Sequence, residues 1–256
     1  MESFEFIPFD RCEVNDKNND SMNKLIVVTG GSKGIGKSII STFASNGFDV
    51  VTCARSSDDL AVLANWFERK FESCSLTTCV ADLSLKEGTA KFVEMVAGLG
   101  RPVEVLVNNA GSFLPGSILE EEEGVFDQMI AANLSSAYHV SRGIIPSMIS
   151  QGRGHLFMMC STASFVPYVN GGSYCIAKYG LLGMTRVLRE ELKPQGIKVT
   201  AIMPGATYTD SWKDSDLPEE RLMDPDDVAA AVYSGYSLSS RSVVEEIILR
   251  PQLGDL

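Results

Sequence analysis

The sequence predicts a single α/β domain, a doubly wound parallel sheet with helices on both faces, and three observations support this prediction. From Lys24 onward, short β-branched runs alternate with amphipathic helical runs, the pattern that produces parallel strands joined by right-handed crossovers. The first of these strands leads directly into a glycine-rich turn, TGGSKGIG. The chain has 256 residues, 45% of them hydrophobic, which is enough for one large core and rather little for two.

The strands and helices follow one another without an interior linker or a repeat. LIVVT is an uninterrupted apolar run, as expected of a strand buried on both faces, and the helix after it stops at Gly47. The further strands read DVVTCA, SLTTCV, VEVLV, RGHLFMMCS, IKVTAIMPG and VEEIILRP. The later helices read DDLAVLANWFERKF, KEGTAKFVEMVAGLG, the long run EEEGVFDQMIAANLSSAYHVSRGIIPSMIS, a run that ends near Lys193, and DPDDVAAAVYSGY.

Composition narrows the classes of function and partner. The net charge of −11 argues against a broad phosphate-binding surface and therefore against a nucleic-acid partner. No apolar run approaches the ~20 residues that span a bilayer, and the N-terminus is acidic where a signal peptide would be basic. The six cysteines lie mostly in apolar runs without CxxC pairing, which predicts buried thiols rather than disulfides or a metal site. We therefore expect a cytoplasmic protein with no membrane partner.

Residues 1–22 are predicted to form an N-terminal extension or tail ahead of a domain that comprises residues 23–256. The apolar start MESFEFIPF is followed by DRCEVNDKNNDSMN, which is polar and has no periodicity. The apolar side chains of this start would dock on the domain or on a neighbouring subunit. Met22 is an alternative start of the chain.

The glycine-rich turn between Thr29 and Gly36 is the first cofactor signal. Gly30, Gly34 and Gly36 lack side chains, so the backbone can turn tightly and a pyrophosphate can approach the helix N-terminus. Many loops are glycine-rich, and the spacing GxxxGxG differs from the common GxGxxG. Its position between a buried strand and an amphipathic helix nevertheless predicts dinucleotide binding. The other residues of the turn assigned to this site are Ser32, Lys33 and Ile35.

The end of the second predicted strand selects the cofactor. NAD-binding proteins usually place a carboxylate there to hold the ribose 2′-hydroxyl, but this chain reads Ala54-Arg55-Ser56. With Lys33 in the glycine-rich turn, two cations and a hydroxyl can meet a 2′-phosphate, so the sequence favours NADP(H) over NAD(H). Asp58 and Asp59 follow closely, and they are predicted to open the next helix, with Ser57 or Asp58 as its N-cap.

Polar residues also end the third and fourth strands. Asp82-Leu83 follows the third strand, and Asn108, Asn109, Ala110 and Gly111 follow the fourth. Strand ends on this edge of an open parallel sheet form the ligand crevice, so amides and a carboxylate here can bond adenine and ribose. The alternative is turn chemistry, because Asn and Gly both tolerate left-handed backbone.

The segment STASFVPYVNGGSYCIAK carries the predicted chemistry. Tyr174 and Lys178 lie one turn apart on a predicted helix, and we expect the ammonium to lower the pKa of the phenol. Ser161, on the far side of a loop, would hydrogen-bond a substrate oxygen that Tyr174 protonates or deprotonates. This is general acid/base chemistry at a carbonyl or an alcohol. The alternative is that the tyrosine and lysine form an ordinary solvated helix face.

Taken together, these motifs resemble the short-chain dehydrogenase/reductase family. The matching segments run in order from about Lys24 to Leu249: TGGSKGIG, VADL, NNAG, AANLSS, Ser161, YCIAK and MPGATYT. The resemblance implies a Rossmann fold with a seven-stranded parallel sheet in the order 3-2-1-4-5-6-7.

The resemblance also implies roles for individual residues. Tyr174 would be the acid/base, Lys178 would lower its pKa and hold the nicotinamide ribose, and Ser161 would orient the carbonyl. Asn133, near the middle of the long helical run, would hold a water in a proton relay. Pro204-Gly205 would turn the chain past the nicotinamide as cofactor-binding residues, and the residues that follow would bind its carboxamide and the phosphates, with Thr207 and Thr209 as candidates. The competing hydroxyls are those of Ser164 and Ser173.

Two classes of function follow. The first is an NADP(H)-dependent carbonyl reductase or alcohol dehydrogenase, similar to 3-oxoacyl-carrier-protein reductases and sepiapterin-type reductases, with a small carbonyl or alcohol substrate. The acidic composition disfavours an acidic acyl-carrier partner. The second is a non-catalytic dinucleotide sensor or scaffold on the same fold, which fold alone does not separate from an enzyme.

Assembly is predicted as a homodimer or homotetramer. The helical runs around 131–150 and 173–193 carry more apolar residues than a solvated face needs, and the resemblance implies that these helices pair across a two-fold axis. The apolar residues in question are Ile144, Ile145, Met148, Leu181, Leu182 and Met184.

Overall fold

The computed structural model describes residues 22–212 and 217–255, and these residues fold around one seven-stranded parallel sheet. The strand order is β3-β2-β1-β4-β5-β6-β7, as the family resemblance implied. The strands are β1 Lys24–Thr29, β2 Phe48–Ala54, β3 Leu76–Val80, β4 Val103–Asn108, β5 Gly154–Met159, β6 Ile197–Pro204 and β7 Glu246–Leu249. The order reverses direction beside β1, which is where a ligand crevice is expected.

Seven α-helices connect these strands in the described part of the chain. They are α1 Gly34–Ala44, α2 Ser57–Lys70, α3 Lys86–Gly98, α4 Val125–Ile130, α5 Ser136–Gln151, α6 Gly172–Leu192 and α7 Pro225–Ser237. Their buried side chains place α1, α2 and α7 on one face of the sheet and α3, α5 and α6 on the other. The fold is therefore the doubly wound single domain that the alternating sequence pattern predicted.

The alternation along β1 shows how the two layers arise from the sequence. Leu25 and Val27 point into the core beneath α3, α5 and α6, whereas Ile26 and Val28 point into the core beneath α1, α2 and α7. All four side chains are almost fully buried, which explains why the strand reads as a continuous apolar run.

The predicted long helix before β5 is interrupted, which corrects the sequence reading. The run EEEGVFDQMI does not start a helix until Val125, because Gly124 adopts a left-handed φ of +91°. Five residues, Ala131–Ser135, then form a π-helical turn between α4 and α5. Asn133 lies in this turn, and its side chain is buried.

The apolar residues of α5 and α6 from which the sequence predicts subunit contacts belong to the core of the single chain. Ile144, Ile145, Met148, Leu181 and Leu182 are all buried within the described chain, and Met184 packs against the same cluster. The apolar side chains that α5 and α6 leave exposed are different ones: Tyr138, Ile149, Ile176, Tyr179 and Val187. The oligomer prediction must therefore rest on these.

Some sequence expectations concern residues or features outside this description. Residues 1–21 of the predicted tail (residues 1–22) and residues 213–216 of the segment TDSWKDSDLPEERLM lie outside the described residues. Within the described residues, none of the helices has the length and apolar character that crossing a membrane requires. The same residues contain no cluster of three or more His, Cys, Asp or Glu side chains able to hold a metal ion.

Candidate active site

A cleft of about 440 Å³ opens at the carboxyl ends of β1 to β4. Most of the predicted cofactor residues line it: Gly30, Ser32, Lys33, Gly34, Ile35, Gly36, Arg55, Ser56, Asp82, Leu83, Asn109, Ala110, Gly111 and Thr209. The cleft is also lined by residues that the sequence did not assign to the site: Cys53, Ala54, Asp59, Ala81, Ser84, Ser112, Gln128, Ala132 and Asp210. Several of these adjoin the predicted strand ends. No residue pattern around Gln128, Ala132 or Asp210 assigns these three residues to a cofactor site.

The glycine-rich turn is packed too tightly for side chains. A Cβ atom on Gly36 would lie 2.4 Å from the carbonyl oxygen of Gly30, and one on Gly31 would lie 2.3 Å from Thr52 Oγ1. Gly30 also has a φ of +66°, which side chains disfavour. The N-cap of α1, Lys33, makes no side-chain cap hydrogen bond. The N–H groups of the first turn of α1 are thus available to an anion in the cleft.

Asn109 holds this turn in place instead of presenting its amide group to a ligand. Its side-chain Nδ2 donates to the carbonyl oxygens of Thr29 and Gly30 at 2.9 and 3.0 Å. The backbone N–H groups of Asn109 and Ala110 both donate to Thr29 Oγ1 at 2.9 Å. Asn108 is buried and donates to Ser141 Oγ at 2.9 Å. The Nδ2 groups of both side chains are therefore engaged within the protein, and contact with adenine or ribose stays a prediction for Asn109, which lines the cleft.

The basic end of the cleft contains carboxylates as well as cations. Lys33 Nζ lies 2.9 Å from Asp59 Oδ2 and 3.7 Å from Asp210 Oδ2. Ser56, not Ser57 or Asp58, caps α2, because its hydroxyl accepts from the N–H of Asp59 at 3.1 Å. A serine hydroxyl that accepts this bond still has its own proton to donate.

Asp82 stays ionised at the same end of the cleft. Burial acts to raise its pKa, but the hydroxyl and N–H of Ser84 and the charge of Arg55 together lower it below the ordinary value. Ser84 Oγ and Ser84 N donate to Asp82 Oδ1 at 2.7 and 2.9 Å. An ionised carboxylate on this edge is an acceptor for hydroxyl or amino donors of a ligand.

Ser161 reaches the site from the end of β5. It caps a short 3₁₀ turn, Thr162–Ser164, and its hydroxyl accepts from Ala163 N at 3.1 Å. The same oxygen lies 3.5 Å from the carbonyl oxygen of Pro204, and the Ser161 hydroxyl is near enough to Tyr174 to act against the raised pKa of that phenol. The predicted serine and tyrosine are therefore neighbours in the structure.

The structure corrects the expected effect of Lys178 on Tyr174. Burial raises the pKa of Tyr174 to about 12, and only the Ser161 hydroxyl contact counteracts it appreciably. Lys178 is 5% exposed, and burial lowers its own pKa to about 8. Its Nζ donates to the carbonyl oxygen of Met159 at 2.9 Å and lies 5.6 Å from the centre of the Tyr174 ring. Desolvation therefore changes the pKa of each group more than the attraction between the Lys178 ammonium and a Tyr174 phenolate does.

Asn133 connects the catalytic residues to the cofactor cleft. Its Nδ2 donates to Ser112 O at 2.8 Å, and its Oδ1 accepts from Ser112 N at 3.2 Å. A Cβ on Gly111, which lines the cleft, would lie 2.6 Å from Asn133 Oδ1 and 3.7 Å from Lys178 Nζ. The π-helical turn therefore places an amide group against the loop after β4, at Gly111, and the same glycine also lies near Lys178.

The residues predicted after β6 divide into two groups. Thr209 lines the cleft and packs on Gly34, where a Cβ would lie 3.0 Å from its methyl group. Thr207 is buried and its hydroxyl donates to Gly205 O at 3.0 Å, so it stabilises the turn. Pro204 contacts Ser161 through its carbonyl, and Gly205 N donates to Leu249 O. Pro204, Gly205 and Thr207 are not among the residues that line the cleft, and of the three Pro204 contacts a predicted catalytic residue.

The two competing serines have other partners. Ser164 is buried and its Oγ accepts from Ser161 N at 3.1 Å, completing a capping box. The backbone N–H of Ser173 donates to Glu121 Oε1 at 2.8 Å, and its hydroxyl donates to the other carboxylate oxygen. Glu121, from the loop after β4, thus serves the first turn of α6 just ahead of Tyr174. The sequence reading missed this residue because the contact joins distant segments.

The chain is similar to known proteins over almost all of its length. The family model described as short chain dehydrogenase matches residues 24–220. A sepiapterin reductase from Chlorobaculum tepidum is 31% identical over 243 residues, which are 92% of this chain and 99% of that protein. A metagenomic short-chain oxidoreductase in complex with NADP has a TM-score of 0.78 and 30% identity, over 90% of this chain and 97% of that one.

A third similar protein was solved with both a cofactor and a substrate. The L-sorbose reductase of Gluconobacter frateurii, complexed with NADPH and L-sorbose, has a TM-score of 0.82 and 25% identity. The match covers 90% of this chain and 95% of that protein.

Proposed function

This chain belongs to the short-chain dehydrogenase family of oxidoreductases, and we propose that it is an NADP(H)-dependent reductase of a small carbonyl compound. One observation carries the proposal: the hydroxyl of Ser161, the phenol of Tyr174 and the buried ammonium of Lys178 converge beside a cleft suited to a dinucleotide. Gly111 joins the two, because it lines the cleft and lies against Asn133 and Lys178.

The residues of the cleft fit NADP(H) in their chemistry. The N-terminus of α1 lacks a side-chain cap and so suits the pyrophosphate, and the glycines leave room for close approach. Arg55, Ser56 and Lys33 would hold the 2′-phosphate, and Asp82 would accept from the adenosine. Structures of similar proteins contain NADP or NADPH, which supports the same cofactor here.

In the mechanism that we propose, bound NADPH supplies a hydride to the carbonyl carbon and the protein supplies the proton. Tyr174 donates its phenolic proton to the carbonyl oxygen, and Ser161 orients that oxygen by a hydrogen bond. A phenol with a pKa of about 12 is fully protonated at neutral pH, as a proton donor must be. Lys178 in its charged form then stabilises the phenolate that remains and holds the nicotinamide ribose. Asn133 supports the proton relay that restores Tyr174.

The test of this mechanism is the variant Tyr174→Phe, which keeps the ring and removes the proton donor. We expect the rate of NADPH oxidation with a carbonyl substrate to fall by roughly 10²–10⁴-fold, with NADPH affinity close to that of the wild type. Ser161→Ala should lower the rate and also leave NADPH affinity unchanged, because in the proposed mechanism its hydroxyl bonds the substrate oxygen and not the cofactor. Tyr179→Phe, on the exposed face of α6, is the matched control and should keep full activity.

Two outcomes would contradict the proposal. An active Tyr174→Phe enzyme would mean that another group donates the proton. Tight NADPH binding without turnover of any carbonyl compound would favour the alternative function, a dinucleotide sensor or scaffold. The screen should include simple ketones, sugars, pteridines with a side-chain ketone and 3-oxoacyl thioesters.

The surroundings of the site favour a free small molecule over a substrate on an acidic carrier. The loop after β4 carries Glu120–Glu123, and Glu121 fixes that loop to the start of α6, next to Tyr174. A cluster of carboxylates at this place would repel an acidic acyl-carrier protein. The names of the similar proteins, a sepiapterin reductase and an L-sorbose reductase, support a pteridine or polyol ketone as the first candidates.

Assembly and location remain predictions. We propose a homodimer or homotetramer, because α5 and α6 expose Tyr138, Ile149, Ile176, Tyr179 and Val187. Light scattering at micromolar concentration tests this, and a monomer would overturn it. We also propose a cytoplasmic location, which the unpaired state of the five described cysteines supports.

A further inference from the structure

Lys33 forms ion pairs with two carboxylates. Its ammonium lies 2.9 Å from a carboxylate oxygen of Asp59, at the start of α2, and 3.7 Å from one of Asp210, after β6. All three residues line the cleft, at the end that also contains Arg55 and Ser56. The hydrogen bond with Asp59 is the main reason why the pKa of Lys33 is raised above its ordinary value.

The position of Asp59 is well defined by the helix to which it belongs. Its backbone N–H donates to the hydroxyl of Ser56, which caps α2, so the side chain starts from a fixed point beside Lys33. About a third of that side chain, 31%, is exposed, against 52% of Lys33. A phosphate that used Ser56, Arg55 and Lys33 together would therefore come close to the Asp59 carboxylate.

We propose that Asp59 is a specificity-determining residue that limits the preference for NADP(H) over NAD(H) by pairing with Lys33. The inference rests on the function proposed above. To bind Lys33, a 2′-phosphate must displace the Asp59 carboxylate, and it must then lie close to that negative charge. Both effects reduce the binding free energy that the phosphate contributes. NAD(H) has a hydroxyl at this position and avoids both costs. The pair thereby leaves the chain more tolerant of NAD(H) than its two cations alone would suggest.

The test measures binding, not turnover. Dissociation constants for NADPH, NADH and adenosine 2′,5′-bisphosphate should be determined by calorimetry for the wild type and for Asp59→Asn. We expect NADPH and the bisphosphate to bind on the order of threefold to tenfold more tightly to Asp59→Asn. The effect should be modest because the ion pair is half-exposed and water screens it. NADH affinity should stay within about twofold, and the gain should shrink in 0.5 M NaCl because salt screens exposed charges.

Asp58→Asn is the matched control. Asp58 is the neighbouring carboxylate in the first turn of α2, it is exposed, and it does not line the cleft. Removing it changes the net charge and the charge at the helix N-terminus by the same amount as Asp59→Asn. We expect it to change NADPH affinity by less than about twofold.

Three results would overturn the inference. NADPH could bind no more tightly to Asp59→Asn, the gain could be equal in Asp58→Asn, or NADH could gain as much as NADPH. Weaker binding of NADPH to Asp59→Asn would mean that the carboxylate orients Lys33 towards the phosphate. If the wild type bound neither dinucleotide, the proposed function would fail with this inference. If it bound NADPH and only the variant effect were missing, the proposed function would stand.

Discussion

The buried, predicted catalytic end of the site and the exposed, basic end of the cleft use charge in opposite settings. At the buried end, Lys178 and Asn133 are 5% and 1% exposed, and burial raises the pKa of Tyr174. At the basic end, Lys33 and Arg55 are exposed, and the side chain of Lys33 is 52% accessible. The same residue type, lysine, therefore has its pKa lowered to about 8 at one end and raised at the other.

This difference separates two ways of controlling a cofactor reaction. In the buried setting, desolvation changes which protonation state is stable, so the residues determine where a proton resides. In the exposed setting, water screens each charge. Selectivity between cofactors then depends on how strongly protein carboxylates and ligand phosphates compete for the same cations. Substitutions at the buried end should thus change rates and pH dependence, whereas those at the exposed end should change affinity and its salt dependence.

The largest effect that the comparison predicts is that of Lys178→Met. The reductase rate should fall by roughly 10²–10⁴-fold, because the charge that stabilises the Tyr174 phenolate is lost. NADPH affinity should fall as well, unlike in Tyr174→Phe, since the contact with the nicotinamide ribose is also removed. Steady-state rates and calorimetric binding constants measured on the same preparation distinguish the two variants. Equal NADPH affinity in both would contradict the ribose contact.

Lys178 should also leave a signature in the pH dependence of stability. Its pKa is about 8 in the folded state and has its ordinary, higher value in the unfolded chain. Between these values the unfolded chain holds the proton and the folded chain does not, so stability rises with pH. The free energy of unfolding of the wild type, minus that of Lys178→Met, should increase by up to about 1.4 kcal/mol per pH unit above pH 8. Below pH 8 the difference should be constant; a difference that falls as the pH rises would contradict this assignment.

At the exposed end, Arg55→Asp should weaken NADPH binding by at least about tenfold and leave NADH affinity equal or better. Each charge-assisted hydrogen bond to a phosphate contributes roughly 1.5–3 kcal/mol, and the substitution also adds a repelling charge. The wild type should prefer NADPH by at least about tenfold in the ratio of turnover number to Michaelis constant. Arg69→Asp, near the other end of α2, provides a control for net charge. Equal use of both cofactors by the wild type would refute the assignment.

Much of this architecture could be predicted because its causes are local. The β-branched strands, the stop at Gly47 and the glycine-rich turn each follow from residues close together in the chain. Thr29 to Gly36, Arg55 and Asp82 lie at strand ends, and a parallel sheet necessarily gathers such ends at one edge. The predicted catalytic tyrosine and lysine share a helix face because residues four apart lie one turn apart in a helix.

The features that escaped prediction depend on contacts between distant segments or on burial. The pairing of Lys33 with Asp59 and Asp210 joins three elements, and no periodicity in the sequence reports it. The raised pKa of Tyr174 follows from desolvation, which requires the packed structure. The π-helical turn around Asn133 likewise cannot be told from an ordinary helix by its apolar pattern.

Glu121 is the most informative of these unpredicted residues because it links the substrate side of the site to the catalytic helix. The N-cap of α6, Gly171, provides no side-chain hydrogen bond. The carboxylate of Glu121 accepts instead from the N–H and hydroxyl of Ser173, and Gly116 forms an isolated bridge with Gly171 beside it. Phe113, from the same loop, packs edge-on against the Tyr174 ring at 4.9 Å. The loop after β4 is therefore tied to the helix that carries the acid.

The smallest effect we predict is that of Glu121→Gln, which keeps one acceptor and removes the charge at the helix N-terminus. Stability should fall by about 1 kcal/mol, since a charge-assisted hydrogen bond becomes a neutral one. If Glu121 positions Tyr174, the turnover number should fall about threefold to tenfold while NADPH affinity stays unchanged, because the contact lies outside the cofactor cleft. Glu122→Gln removes an exposed neighbouring charge and should alter neither quantity. Loss of stability with an unchanged turnover number would mean that Glu121 only caps the helix and that the position of Tyr174 is determined by Ser161 and Phe113.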